Sequence, residues 1–220
     1  MPHRTVKSIT AAEMHRLDRL ALRRYHIPVL LLMDNAGRCV AESARAYLRR
    51  TRRRRVIILA GGGNNGGDGV AAARYLARWG YSVQVFWLRN PTEWEPDARR
   101  HYDMARRAGV RFRPFRRIPS RRRIAELRRA DLIIDALLGT GFHGHVRLPV
   151  FDAIVCMNNS RKPILAVDIP SGLDADTGRP GDIAVKARWT VTLAAAKVGL
   201  SKARAFTGPV TIADIGLPVA

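Results

Sequence analysis

The stretch that most restricts the fold begins at Val56. Val56-Ile57-Ile58-Leu59-Ala60 is an unbroken apolar run with no alternation, the pattern of a short strand covered on both faces. It leads directly into Gly61-Gly62-Gly63-Asn64-Asn65-Gly66-Gly67-Asp68-Gly69, and then into an alanine-rich helix predicted over 70–79. Gly80 ends that helix, because a left-handed cap costs glycine little. Strand, glycine turn and helix in that order open a βαβ unit, whose second strand must run parallel to the first.

The rest of the chain keeps the alternation. Apolar and β-branched runs predict strands over 82–88, 131–136, 163–168, 188–194 and 210–214, with a short extra one over 110–115. Helical spacing predicts helices over 95–108 and 121–129. Two more helices precede the first strand. Thr10-Ala11-Ala12-Glu13 reads as a capping box, with Ala11, Met14, Leu17 and Ala21 on one face, and that helix ends near Pro28. Met33, Ala36, Val40, Ala44 and Tyr47 recur at helical spacing over 29–48. The expected fold class is therefore α/β, a Rossmann-like three-layer α/β/α arrangement with a mostly parallel sheet and an N-terminal helix pair on its flank. No repeat or linker divides residues 1–220, which read as a single domain.

Charge is the compositional anomaly. The formal net charge is +21, carried by 34 Arg and only 5 Lys, and 23 of the Arg fall between Arg45 and Arg129, including 52–55 and 121–123. Two readings stay open: a GC-rich coding background that turns surface Lys into Arg, or a polyanionic partner such as nucleic acid. The two cysteines, Cys39 and Cys156, make neither a metal-ligand spacing nor a disulfide framework, so each is expected to pack in a reducing compartment, by default the cytoplasm. No apolar run is long enough to span a bilayer, and the start of the chain, basic at Arg4 and Lys7, has no apolar signal core.

Gly61, Gly63 and Gly66 fit the G-x-G-x-x-G spacing in the strand-to-helix context that lets backbone N–H groups hold a phosphate. A dinucleotide dehydrogenase would also place an acid at the end of the second strand, for the ribose hydroxyls. Trp87-Leu88-Arg89-Asn90 stands there, which leaves an NADP-dependent oxidoreductase, with Arg89 on a 2′-phosphate, as an alternative. Asn64, Asn65 and Asp68 crowd what should be a bare cradle and point to specific recognition; the plainer alternative is a solvated turn.

Two later strand ends also carry acids. One reads Asp135-Ala136-Leu137-Leu138-Gly139-Thr140-Gly141, followed by Phe142-His143-Gly144-His145; the other reads Asp168-Ile169-Pro170-Ser171-Gly172. In a parallel sheet these ends share one edge with the glycine turn, where ligands bind. A strand-end Asp commonly caps a helix or satisfies loop amides, and Asp174 and Asp176 are read that way. Asp135 and Asp168 together favour a site. Its oxygen donors suit a hard cation if a metal is held, and His143 and His145 either face a substrate or are solvated.

Four segments in this order resemble the NAD(P)H-hydrate epimerase family, whose domain is also called the YjeF N-terminal domain. They are Leu32-Met33-Asp34-Asn35-Ala36-Gly37, Gly63 to Gly69, Asp135 to Gly141, and Val167-Asp168-Ile169-Pro170-Ser171-Gly172. The resemblance implies repair of hydrated NADH and NADPH, by interconverting the R and S epimers at C6 of the nicotinamide ring, with a separate dehydratase then acting on the S form. It implies substrate contacts at Asn64, Asn65, Gly66, Gly67, Asp68, Gly139, Thr140, Gly141, Phe142, His143, Gly144, His145 and Asp168, and a potassium ion on Asn65, Asp135 and Ser171. Asp168, then Asp68, are the candidates for proton transfer. Departures from the family are Gly62 where Pro is common, Asp34 where Glu is common, and Arg89 where some relatives carry Lys; a guanidinium is a poor proton shuttle. A stand-alone epimerase is expected, with a homodimer through the N-terminal helices as one possibility. A non-catalytic RNA-binding or dimerisation module of the same fold is the rival reading.

Overall fold

The computed structural model describes residues 8–50, 54–115 and 120–217. Arg4, Lys7, Arg52 and Arg53 lie outside the described residues. The chain opens with α1 (Ala11–Tyr25), and its capping box is formed: Thr10 Oγ1 accepts from the Glu13 N–H at 3.2 Å, and Glu13 Oε2 accepts from the Thr10 N–H at 2.7 Å. His26 ends the helix in a left-handed conformation, and Pro28 precedes α2 (Val29–Arg49).

Strands and helices then alternate: β1 (Arg55–Ala60), α3 (Asn64–Arg78), β2 (Ser82–Trp87), α4 (Pro96–Arg107), β3 (Arg111–Pro114), α5 (Ser120–Leu127), β4 (Leu132–Ala136), α6 (Val150–Asn159), β5 (Ile164–Val167), β6 (Trp189–Leu193), α7 (Arg204–Thr207) and β7 (Val210–Ala213). Single 3-10 turns occupy Pro91–Glu93 and Val198–Lys202. Among the described residues seven strands form one sheet in the order β3-β2-β1-β4-β5-β6-β7, and every pairing between them is parallel. Ile58 of β1 is flanked by Val85 of β2 and Ile134 of β4. The strand order reverses between β1 and β4, so the glycine turn and Asp135 meet at the crevice where such sheets bind ligands.

Side chains alternate across the central strands. Val56, Ile58, Ala60, Leu132 and Ile134 pack under α2, α3 and α4, whereas Ile57, Leu59, Ile133, Ile164 and Ala166 pack against α5 and α6. That double cover explains the unbroken apolar run of β1. The arginine-rich stretch is spread over α2 to α5, and on α4 Arg99–Asp103 (3.1 Å) and Arg100–Asp97 (3.0 Å) are local pairs. Both cysteines are free; Cys156 is buried in the second core and Cys39 half-buried.

Three expectations need correction. Helix α3 starts at Asn64 rather than at residue 70, so most of the glycine segment is helix and only Gly61 to Gly63 turn. Helix α6 is an element that the sequence pattern does not predict, because a short apolar stretch does not separate strand from helix by periodicity. Finally, the N-terminal pair is more than a flank. While α2 packs on α3, α1 reaches the carboxyl edge of the sheet: Ile9 bridges to Lys197, and Met14 and Asp18 enter the crevice.

Candidate active site

Glycine lets the first turns of α3 lie flush on the strand ends. A Cβ on Gly66 would stand 2.1 Å from the Gly61 carbonyl oxygen, and one on Gly69 would stand 2.4 Å from Ala136 Cβ. This close approach buries Asn65 and Asp68, which excludes the solvated turn. Asn65 donates Nδ2–H to the Leu138 carbonyl at 2.8 Å, while its Oδ1 is buried with no hydrogen-bond partner. Burial pushes the Asp68 carboxyl well above the usual carboxylate range, and the nearby charges of Asp168 and Asp18 push it the same way.

Asp135, at the end of β4, is fully buried. Its oxygens accept from Ser171 Oγ at 2.6 Å, the Ser171 N–H at 2.8 Å and the Leu137 N–H at 3.3 Å. Desolvation raises its pKa to about 6, against the lowering effect of those bonds. Ser171 Oγ also accepts from the Leu138 N–H at 2.9 Å, so Asn65, Asp135, Leu138 and Ser171 form one cluster of oxygens. Among the described residues there is no group of three or more His, Cys, Asp or Glu fit for a metal. The cluster instead offers amide, hydroxyl and carboxylate oxygens, a donor set for a hard cation, with the orphan Oδ1 of Asn65 as its open valence.

Asp168 follows β5 with φ +64°, a left-handed conformation that non-glycine residues adopt rarely and often at functional sites. Its Oδ1 accepts from the Leu193 N–H at 3.0 Å, from Thr192 Oγ1 at 3.2 Å and from the ammonium of Lys197. Lys197 is fully buried. Across the crevice, Asp18 of α1 is raised by its partial burial and by the Asp168 charge, with His15 and Lys197 acting the other way.

These groups border one cavity of about 760 Å³. Of the expected substrate contacts, Asn64, Asn65, Asp68, Gly139, Thr140, Gly141, Phe142, His143 and Asp168 line it. Gly66, Gly67, Gly144 and His145 do not. Gly66 and Gly67 face protein, against the Gly61 backbone and the Met33 sulfur. His145 is 87% exposed and bonds Asp182 at 2.8 Å, whereas His143 bonds Asp174 at 2.7 Å at the cavity rim. Asp174 also caps its own loop by accepting from the Thr177 N–H at 2.8 Å, and Asp176 accepts from the Ala11 N–H at 2.7 Å, so both acids satisfy backbone amides. Arg89 lines the cavity beside Gly62, with its Nε 3.4 Å from Glu93 Oε2.

Two site residues escaped sequence reading. Asp18 sits on a helix that looked purely structural, and its signal was an acid close to the apolar face of α1. Lys197 had a clearer signal, a lysine directly after Ala194-Ala195-Ala196 and before Val198.

Residues 29–199 match the family model described as YjeF-related protein N-terminus. A protein of Pirellula staleyi named NAD(P)H-hydrate epimerase is 40% identical over 205 residues, covering 92% of this chain and 89% of that protein. A bifunctional NAD(P)H-hydrate repair enzyme of Moorella thermoacetica is 41% identical over 214 residues, covering 96% of this chain but 40% of its own length. The chain thus spans about two fifths of that bifunctional relative. In fold it is similar to the crystal structure of a yeast protein, ynu0, with a TM-score of 0.81 and 23% identity over 94% of this chain and 87% of that one.

Proposed function

Because the chain belongs to the family of YjeF-related protein N-termini, we propose that it is an NAD(P)H-hydrate epimerase, an isomerase that interconverts the R and S epimers of hydrated NADH and NADPH at C6 of the nicotinamide ring. The observation that carries this reading is the convergence of Asp68, Asp168 and Asn65 on one cavity, in a chain similar over almost its whole length to a protein of that name.

Lone-pair donation from the ring nitrogen expels the C6 hydroxyl as water once an acid has protonated it. Water adding to the opposite face of the resulting iminium gives the other epimer when a base takes its proton. Asp68, whose pKa is raised by burial and by like charge, is the acid, and Asp168 is the base. The reverse direction uses the two carboxyls in exchanged states. The turn from Gly139 to His143 and the start of α3 at Asn64 hold the rest of the dinucleotide, with the α3 N-terminus favouring its phosphates.

A potassium ion fits the oxygen cluster of Asn65, Asp135 and Ser171, because Asn65 Oδ1 is otherwise an unsatisfied buried acceptor. When bound it supplies positive charge that offsets the carboxylates toward a dinucleotide pyrophosphate. The S epimer would pass to a dehydratase, which fits the similarity to bifunctional repair enzymes. No described helix is long and apolar enough to cross a membrane, and the free cysteines suit the cytoplasm.

The test mixes purified protein with the R epimer of hydrated NADH and follows the S epimer by chromatography. Conversion well above the spontaneous rate is expected; a rate equal to the blank overturns the proposal.

A further inference from the structure

Lys197 is the one buried lysine among the described residues, and it stands in a segment that otherwise reads as core. Removing an ammonium and a carboxylate from water is costly, and replacing such a pair by apolar residues often stabilises a protein. Stability alone therefore explains Lys197–Asp168 poorly. The geometry points elsewhere. The ammonium donates to Asp168 Oδ1, to the Leu193 carbonyl at 2.8 Å and to Thr192 Oγ1 at 3.2 Å, so its three donors are used and none is left for a ligand. Every bond to Asp168 from a described residue lands on Oδ1, although Asp168 lines the cavity. Two left-handed residues, Asp168 at φ +64° and Ala194 at φ +62°, flank this knot and fix the ends of β5 and β6. Asp18 and Asp68 face the same crevice, so this cation is the group that lets a third carboxylate stand among them.

We propose that Lys197 is a positioning residue: by holding Oδ1 of Asp168 it turns Oδ2 to the cavity as the oxygen that exchanges a proton with the bound ligand. The kinetic part of this inference rests on the epimerase reading; the structural link between the two residues does not.

The test uses the full chain with Lys197→Met, Lys197→Arg, Lys197→Ala and the double variant Asp168→Asn/Lys197→Met. Lys197→Met should lower kcat at least tenfold with KM within about twofold, and Lys197→Arg should recover part of the loss. Propylammonium, but not propanol, should partly restore Lys197→Ala. Parental kcat in Lys197→Met, or a loss confined to KM, overturns the proposal. In thermal unfolding, Lys197→Met should lower Tm by leaving a buried carboxylate without its cation, and the double variant should regain most of the loss. Additive Tm shifts, or a double variant that does not fold, overturn it as well. Should the parent lack epimerase activity, the functional reading fails by itself, and the unfolding cycle still decides whether Lys197 holds Asp168.

Discussion

Ser171 and Asp135, 36 residues apart at the ends of neighbouring strands, are tied by two hydrogen bonds, Oγ to Oδ1 at 2.6 Å and N–H to Oδ2 at 2.8 Å. The bonds latch β4 to the turn after β5 and use a hydroxyl where alanine would fill nearly the same space. Ser171→Ala keeps the backbone bond but leaves a fully buried carboxyl one donor short. A loss of about 1–3 kcal/mol is expected in urea unfolding. Ser201→Ala, at an exposed hydroxyl, should stay within about 0.5 kcal/mol.

The oxygen cluster also predicts a cation-specific effect. If Asn65 Oδ1 is completed by potassium, KCl should raise Tm more than choline chloride at equal ionic strength, because an ion bound only by the native state stabilises it by mass action. Asn65→Ala should remove the difference between the salts. Equal Tm curves for the parent in the two salts would reject the assignment.

Glycine at the start of α3 serves close approach more than turn geometry. A Gly66 Cβ would sit 2.1 Å from a backbone oxygen that cannot move away, whereas a Gly63 Cβ meets nothing within 4 Å. Gly66→Ala should therefore destabilise by about 3 kcal/mol or abolish folding. Gly63→Ser should be neutral or stabilising, since Gly63 is the N-cap of α3, where serine is favoured. Circular dichroism melts of both variants check the contrast.

Much of this architecture is legible from residues alone. The unbroken run from Val56 to Ala60 demands a strand covered twice, and the acids after β4 and β5 fall on one edge once the sheet is parallel. The glycine segment misleads, because low helix propensity argues for a loop while tertiary contact with the β1 and β4 ends makes it helical. Asp18 and Lys197 are hidden for a different reason. Periodicity assigns a residue to a face of its own element, and neither α1 nor the turn after β6 shows in sequence that it crosses the strand end of β5.

Asp18 carries a kinetic expectation. Its negative charge is among the causes that raise the Asp68 pKa. Asp18→Asn removes that charge, so Asp68 should lose its proton at lower pH, and the alkaline limb of the kcat profile should move down in pH while KM changes little. An unmoved limb would mean that Asp18 is too well screened to matter.

Asp68 itself sets a pH dependence of stability opposite to that of a salt-bridged acid. Its folded-state pKa lies well above the ordinary 3.8, mainly through burial, so between those two values the native state binds a proton that the unfolded chain has released. Stability contributed by this group is therefore full below about pH 4 and declines as pH rises through the raised value. Asparagine keeps the shape and cannot ionise. The stability of Asp68→Asn relative to the parent should thus grow as pH is raised from about 4 to 8 in a series of urea melts, while turnover is lost because the proton donor is gone. A relative stability that stays flat or falls over that range would show that Asp68 ionises as freely in the folded protein as in the unfolded chain, and would remove it as the acid.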